Sequence, residues 1–328
     1  MRTFILAVVA STMLWAVPAG AQQAGGAAPT VTVGVSPSID MSLLIIAVKK
    51  GFLDKEGLNA QLQLFDSSPA ALQGVVAGRA DITNNTEPPQ LAAEARGGKL
   101  VQVMTGYTSG RINGSVVNGE VIKKAQDFVG KVIGVQRGSG ANYHLAWFLK
   151  RNKIPADKVV VKYMHAPDQI PALARGDIQA FFSWEPFLTK AVEVVPNAKI
   201  FSRTIDDGFV FAGNVVMRED MARNHKDVAV KIVKGLIAAA DWMTANPMEA
   251  AKVANEVLKA PSVEGVAKQI QYLSWPGDFR KKMVTQELSI AEWGIGVGLF
   301  PAKDAKKLVD ELVYPAIIEE AAPGRTDL

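Results

Sequence analysis

The chain reads as an α/β protein made of two similar lobes, and three features of its 328 residues lead there. Strand-like and helix-like stretches alternate from about residue 31, and the alternation restarts near residue 131. Pro69 precedes Gly78 by the same interval that separates Pro167 from Gly176, and each pair brackets a helix that feeds a short strand. Alternation of this kind predicts mostly parallel sheets with helices on their faces.

In the first run, Thr30–Val35 is a strand and Asp40–Lys50 a helix, with Asp40 near its start and Gly51 just past its end. Leu58–Phe65 is the next strand, Pro69–Gly78 a helix and Ala80–Thr83 a short strand. Pro88–Gly97 is a helix whose prolines suit a first turn, because the N–H they lack has no intrahelical partner there. Leu100–Tyr107 closes the run as a strand. The second run reads Lys131–Val135 (strand), Ala141–Asn152 (helix), Val159–Tyr163 (strand), Pro167–Arg175 (helix) and Ile178–Ser183 (strand). From about Met217 the pattern turns helical, with Asp220–Ala245, Asn246–Lys259, Thr285–Trp293 and Lys303–Val313. Gly294–Gly298 reads as a loop. A two-lobed chain would cross between lobes near Tyr107–Val117 and Phe209–Val216, both glycine-bearing and otherwise extended. This divides the chain into 30–110 and 213–328 for one lobe and 111–212 for the other.

Residues 1–21 are expected to be a cleaved export signal: Arg2, an apolar run Phe4–Val17, then Pro18-Ala-Gly-Ala21 with small residues at the cleavage positions. The apolar run is shorter than the ~20 residues that span a bilayer. No cysteine follows it to carry a lipid, and Gln22–Pro29 reads as a loose leader. The chain contains no Cys at all, which excludes disulfides, thiolate nucleophiles, zinc–thiolate sites and iron–sulfur clusters. The formal charge of +4 is spread among acids without a basic run, so nucleic acid is not an expected partner.

Three stretches of small polar residues fall where strands lead into helices: Ser36-Pro-Ser-Ile-Asp40, Asn84-Asn-Thr-Glu87 and Arg137-Gly-Ser-Gly-Ala-Asn142. Each is compatible with an ordinary helix cap; together, at the carboxyl ends of strands in two matching lobes, they point to a shared ligand site. The third opens a helix whose N–H groups and positive dipole end suit an anion. Trp184 is either an apolar wall of that site or a core residue, and Glu87, Glu185, Asp206 and Asp207 either face a donor on the ligand or are solvated. His144, His165 and His225 lack metal-ligand spacing and read as surface or capping residues, so no metal or cofactor is expected. Neither a nucleophile-elbow nor a zincin motif is present, and no lysine follows a glycine-rich turn in the manner of a phosphate-binding loop.

Several stretches in this order resemble the nitrate/sulfonate/taurine-type periplasmic substrate-binding proteins of ABC importers, a group related to thiamine-pyrimidine synthases. They are Ala47-Val-Lys-Lys-Gly-Phe-Leu-Asp-Lys-Glu-Gly-Leu58, Gly78-Arg-Ala-Asp-Ile82, Glu87-Pro-Pro89, Gly138-Ser-Gly-Ala-Asn-Tyr143, Ala174-Arg-Gly-Asp-Ile178 and Trp184-Glu-Pro186, and the resemblance covers roughly 31–315. It implies a two-lobed type II clamp with two crossover hinge segments. It also implies a role in capturing a small organic anion for a membrane permease and its ATPase. Ligand contacts carry over to Ser38, Asn85, Thr86, Glu87, Ser139, Gly140, Ala141, Asn142, Trp184 and Asn214. A monomeric periplasmic protein with no enzymatic activity is expected, with an exported ligand-sensing module or a Cys-free enzyme of the same fold as alternatives. The sequence departs from the group at Asn142, where sulfonate binders usually carry His, and at Gln179, where Asp is common. Sulfonates, amino-sulfonates, sulfate esters, nitrate, aromatic acids and pyrimidines all remain open as ligands.

Overall fold

The computed structural model describes residues 27–328; the signal segment and most of the leader lie outside them. Ten strands form two five-stranded sheets. In chain order they are β1 (Thr30–Val35), β2 (Asn59–Leu64), β3 (Ile82–Thr86), β4 (Leu100–Ser109), β5 (Asn113–Asn118), β6 (Val132–Val135), β7 (Val160–Tyr163), β8 (Ala180–Trp184), β9 (Ala198–Arg203) and β10 (Phe211–Arg218). One sheet runs β2-β1-β3-β10-β4 and the other β7-β6-β8-β5-β9.

These orders are the same pattern twice. β1 lies parallel between β2 and β3, as β6 does between β7 and β8. β10 is antiparallel to β3 and β4, and β5 to β8 and β9. The sheets are therefore mixed but mostly parallel in direction: in each, four strands run the same way and one, β10 or β5, is reversed. The reversed strand in each follows a crossing from the other sheet, so no covering helix sets its direction. The chain crosses at 110–112, within the expected Tyr107–Val117, and at 204–210, just before the expected Phe209–Val216, most of which belongs to β10. The two crossings are joined: Ile205 N–H donates to the Gly110 carbonyl at 2.8 Å, and Thr204 N–H to that of Asn113 at 3.2 Å.

Fourteen α-helices cover the sheets. The first sheet carries α1 (Ser42–Lys49), α2 (Phe52–Lys55), α3 (Ser68–Val76) and α4 (Glu87–Glu94); the second carries α5 (Gly140–Arg151), α6 (Ala166–Arg175) and α7 (Phe187–Val194). The returning chain adds α8 (Glu219–Asn224), α9 (Lys226–Ala245), α10 (Pro247–Leu258), α11 (Val263–Ile270), α12 (Lys281–Gly296), α13 (Ala305–Leu312) and α14 (Ala316–Ala321). α1 is apolar all round, and Leu43, Leu44, Ile45 and Ile46 are fully buried where it lies between the sheet and α9 and α10. On the other face, Leu72, Leu91, Ile290, Phe300 and Leu312 bring α3, α4, α12 and α13 into one cluster. Phe128, Phe148 and Phe182 anchor the core under α5.

Several expectations are corrected. Asn84-Asn-Thr86 belongs to β3 and is not a turn. The single helix expected over 220–245 is interrupted at His225. Gly294 lies inside α12, not in a loop, because the Phe300 ring packs where its side chain would be. Strand β9 and helices α2, α7, α11 and α14 lie outside the elements expected.

The close approach that fixes β10 is made at Gly213, where a Cβ would lie 2.0 Å from the Tyr107 ring on β4. Gly213→Ala is expected to lower stability by about 1–3 kcal/mol, the usual cost of overpacking, in urea unfolding. Adding Tyr107→Leu should make the pair less costly than the sum of the single changes.

Candidate ligand-binding site

The turn between β6 and α5 is built to leave donors free. Ser139 caps α5: its Oγ accepts from the Asn142 N–H at 3.2 Å and donates to the Gln136 carbonyl at 2.7 Å. Asn142 Oδ1 reaches back to the N–H of Gly138 at 3.1 Å, and Gly138 has the left-handed φ of +73° that the turn requires. With these side chains satisfying each other, the N–H groups of Gly140 and Ala141 carry no hydrogen bond among the described residues. They are first-turn donors at the positive end of a three-turn helix. Ser139 and Asn142 thus shape the turn from within, and the two residues between them are buried. Gly140 also needs to be small, since a Cβ there would lie 3.2 Å from Asn113 Nδ2 and 3.3 Å from the Phe211 ring.

The first lobe contributes a second polar cluster. Ser38 Oγ donates to Asp40, Ser68 Oγ donates to the other oxygen of the same carboxylate at 3.2 Å, and Asn85 Nδ2 donates to the Ser68 carbonyl at 2.8 Å. Burial pushes the Asp40 carboxyl above its usual range, against these hydrogen bonds. Asp40, which closes the first stretch singled out, and Ser68, which the sequence reading passed over, join Ser38 to Asn85; Ser68 lies at a helix start, where a capping signal hides any other use. Thr86 is half-buried at the start of α4 and makes no side-chain cap bond. Pro88 and Pro89 follow Glu87, so α4 presents few N–H groups.

Glu87 is fully buried. Its Oε1 accepts from Ala212 N–H at 3.0 Å and Gln286 Nε2 at 3.1 Å, while Oε2 has no partner. Burial pushes its carboxyl up to about 7. Glu287 is held well above the carboxylate range by burial and by the charge of Glu87. Asn214 sits opposite Asn85 in the β10–β3 ladder, and Gln90 Nε2 donates to the carbonyls of both, at 2.7 and 2.8 Å.

Helix α4, which follows directly on Asn85 and Thr86, packs against α5. Burial and the charge of Glu87 together raise the Tyr143 hydroxyl, one residue past the α5 turn, to about 12. Trp184, half-buried at the end of β8, is registered opposite Asn113; its ring meets Phe187 edge-on at 6.0 Å. The other acids singled out are engaged elsewhere. Glu185 pairs with Arg203 at 2.6 Å, Asp206 accepts from Arg203 N–H, and Asp207 meets His144 Nε2 at 2.7 Å. His165 and His225 do stand at helix starts, but His144 is fully buried, neither surface nor capping. Gln179, at one of the two departures, accepts from Val132 N–H at 3.1 Å. Asp81 takes Thr32 N–H in the same way in the other lobe.

Because Glu87 keeps its proton in the fold up to about 7 and loses it near 4.5 when unfolded, the folded chain binds more protons between those values. The contribution of Glu87 to stability is therefore present at acid pH and lost as pH rises through this window. Glu87→Gln is expected to remove that decline, gaining up to about 3 kcal/mol on wild type between pH 4.5 and 8, as read by urea titrations at both ends.

Comparison with known proteins agrees with this architecture. The chain is 25% identical over 303 residues to the "Putative aliphatic sulfonates-binding protein" of Bacillus subtilis, covering 90% of each. It is 27% identical over 218 residues to the taurine-binding periplasmic protein of Escherichia coli, covering 66% of this chain and 67% of that one. Among solved structures, the periplasmic aliphatic sulphonate binding protein SsuA of E. coli superposes with a TM-score of 0.74 at 15% identity, over 87% of this chain and 92% of that chain. The desulfurization enzyme DSZB superposes with a TM-score of 0.68 at 18% identity, over 89% and 98%. These likenesses show a fold used by both binders and an enzyme. Residues 38–250 match the model of the family described as NMT1/THI5 like, and the chain belongs to that family.

Proposed function

We propose that this protein is the periplasmic solute-binding component of an ABC importer, holding a small organic anion between two lobes and handing it to a membrane permease. The observation that carries the reading is the pair of unbonded N–H groups at Gly140 and Ala141, set in a turn whose own side chains are satisfied. An oxyanion accepts from both donors and gains the helix dipole. Glu87, with one buried oxygen unpartnered, accepts from a donor on the ligand, such as the ammonium of an amino-sulfonate, in its ionised form, above about 7; the names of the relatives favour sulfonates as the anion. Trp184 bounds the organic part, and Ser38, Asn85, Thr86 and Asn214 line the opposing lobe.

The lobes are 30–110 with 213–328, and 111–212, hinged at the paired crossings. A ligand touches both only when they close, so binding shifts the population toward the closed form. Residues 1–21 direct export, and the mature chain acts as a monomer. No helix among the described residues is long and apolar enough to cross a membrane. A catalytic reading finds little support, because the buried His144–Asp207 pair binds Ser202 through the carboxylate at 3.0 Å and so presents no hydroxyl to the imidazole.

In a thermal-shift screen of residues 22–328, taurine and short alkanesulfonates are expected to stabilise the fold, by about 2.7 kcal/mol at a hundredfold excess over Kd. Nitrate, aromatic acids and pyrimidines form the comparison set, and stabilisation by pyrimidines alone would overturn the anion reading. Ser139→Ala, which loosens the turn, should cost about 1 kcal/mol of stability as a lost helix cap. It should also weaken sulfonate binding by about 1–2 kcal/mol; unchanged affinity in calorimetry would reject the α5 turn as the site.

A further inference from the structure

A cavity of about 520 Å³ opens between α3, α4, the Arg137–Gly138 turn and the 298–300 segment. None of the ten residues assigned to the α5 site lines it. Its floor is apolar, with Leu72, Ala93 and Phe300 buried beneath it, and two guanidinium groups stand at its walls. Arg96 is held in place by donating to the carbonyls of Ala92 at 2.8 Å and Leu299 at 3.2 Å. Arg137 rests over the Tyr163 ring at 5.5 Å. Neither arginine has an acidic partner among the described residues, although six other arginines form ion pairs. Two guanidinium groups without a carboxylate partner, beside an apolar floor, fit a molecule with one anionic group and a hydrocarbon body. The volume lies within the ~300–1,000 Å³ of small-molecule pockets and exceeds what an inorganic anion fills.

We propose that this cavity is a second ligand site, for an amphipathic carboxylate or sulfonate whose charge lies between Arg96 and Arg137 and whose apolar body covers Leu72 and Phe300. Arg137 and Gly138 come from one lobe and the remaining lining from the other, so the occupant bridges them. Resting on the clamp reading above, its binding then favours closure and raises affinity for the ligand held at the α5 turn.

Calorimetry with 2-naphthalenesulfonate tests this on the whole mature chain, with and without saturating taurine. One molecule is expected to bind, and taurine should leave that stoichiometry unchanged while tightening the binding. Arg137→Gln, at an exposed position, should weaken 2-naphthalenesulfonate about tenfold; Ala92→Phe, which fills the cavity and keeps both charges, should abolish it. Taurine binding should survive Ala92→Phe. Displacement of 2-naphthalenesulfonate by taurine, or binding unaltered in both variants, would overturn the second site while leaving the α5 site standing. Absence of taurine binding in every form, with the 2-naphthalenesulfonate pattern intact, would instead overturn the clamp reading alone.

Discussion

The return of β10 between β3 and β4 is the constraint on which the rest of the molecule depends. It requires Gly213, because Tyr107 occupies the space a side chain would take, and it is secured from the side by groups of the candidate site. Glu87 accepts from Ala212 N–H at the start of β10, and Gln90 bridges the carbonyls of Asn85 and Asn214 across the β3–β10 pair. Gln102 Nε2 continues the string, donating to Gln90 Oε1 and Glu287 Oε1, both at 2.6 Å. A buried amide network of this kind is worth little per bond but costly to leave incomplete. It ties the β3–α4 junction, the inserted strand and α12 into one register.

The twofold echo of the chain has a physical counterpart in these junctions. In each lobe the residue entering the third strand offers a side-chain oxygen to the N–H near the start of the first: Asp81 to Thr32, Gln179 to Val132. The substitution of an amide for a carboxylate keeps the acceptor and drops the charge. The difference follows the neighbours, since Asp81 also pairs with Arg218 at 2.9 Å, whereas Gln179 donates to the Gly176 carbonyl. Each lobe thus sets its central strands with one local bond, and the reversed strand arrives from the other half of the chain.

Helix α5 joins the two halves more closely than a cap alone would. Tyr143 packs with Phe209, Phe211 and Trp293, with ring centroids 5.2–6.3 Å apart, and Trp147 Nε1 donates to the Asp207 carbonyl. His144 meets the carboxylate of the same residue. The helix that aims two free N–H groups is therefore braced against the second crossing and against α12 on the other lobe. Packing thus fixes the direction of these donors in advance.

Much of this was legible in the sequence. Period, caps and prolines located most strands and helices, and the spacing from Pro to Gly exposed the repeat, because local backbone chemistry repeats when local structure does. The α5 turn was legible too, since Gly138, Ser139 and Asn142 satisfy one another within five residues. What stayed hidden depends on contacts between distant segments. Nothing local tells β10 to run antiparallel, or makes Asn84–Thr86 a strand and not a turn; pairing with a strand more than a hundred residues away decides both. Likewise no motif marks His144 as buried against Asp207, or Glu87 as a carboxyl that keeps its proton near neutrality. The sequence by itself determined the elements, the repeat and the donor turn, whose energies are short-ranged. Tertiary structure alone decided strand direction, burial and protonation, because these depend on which remote surfaces exclude water.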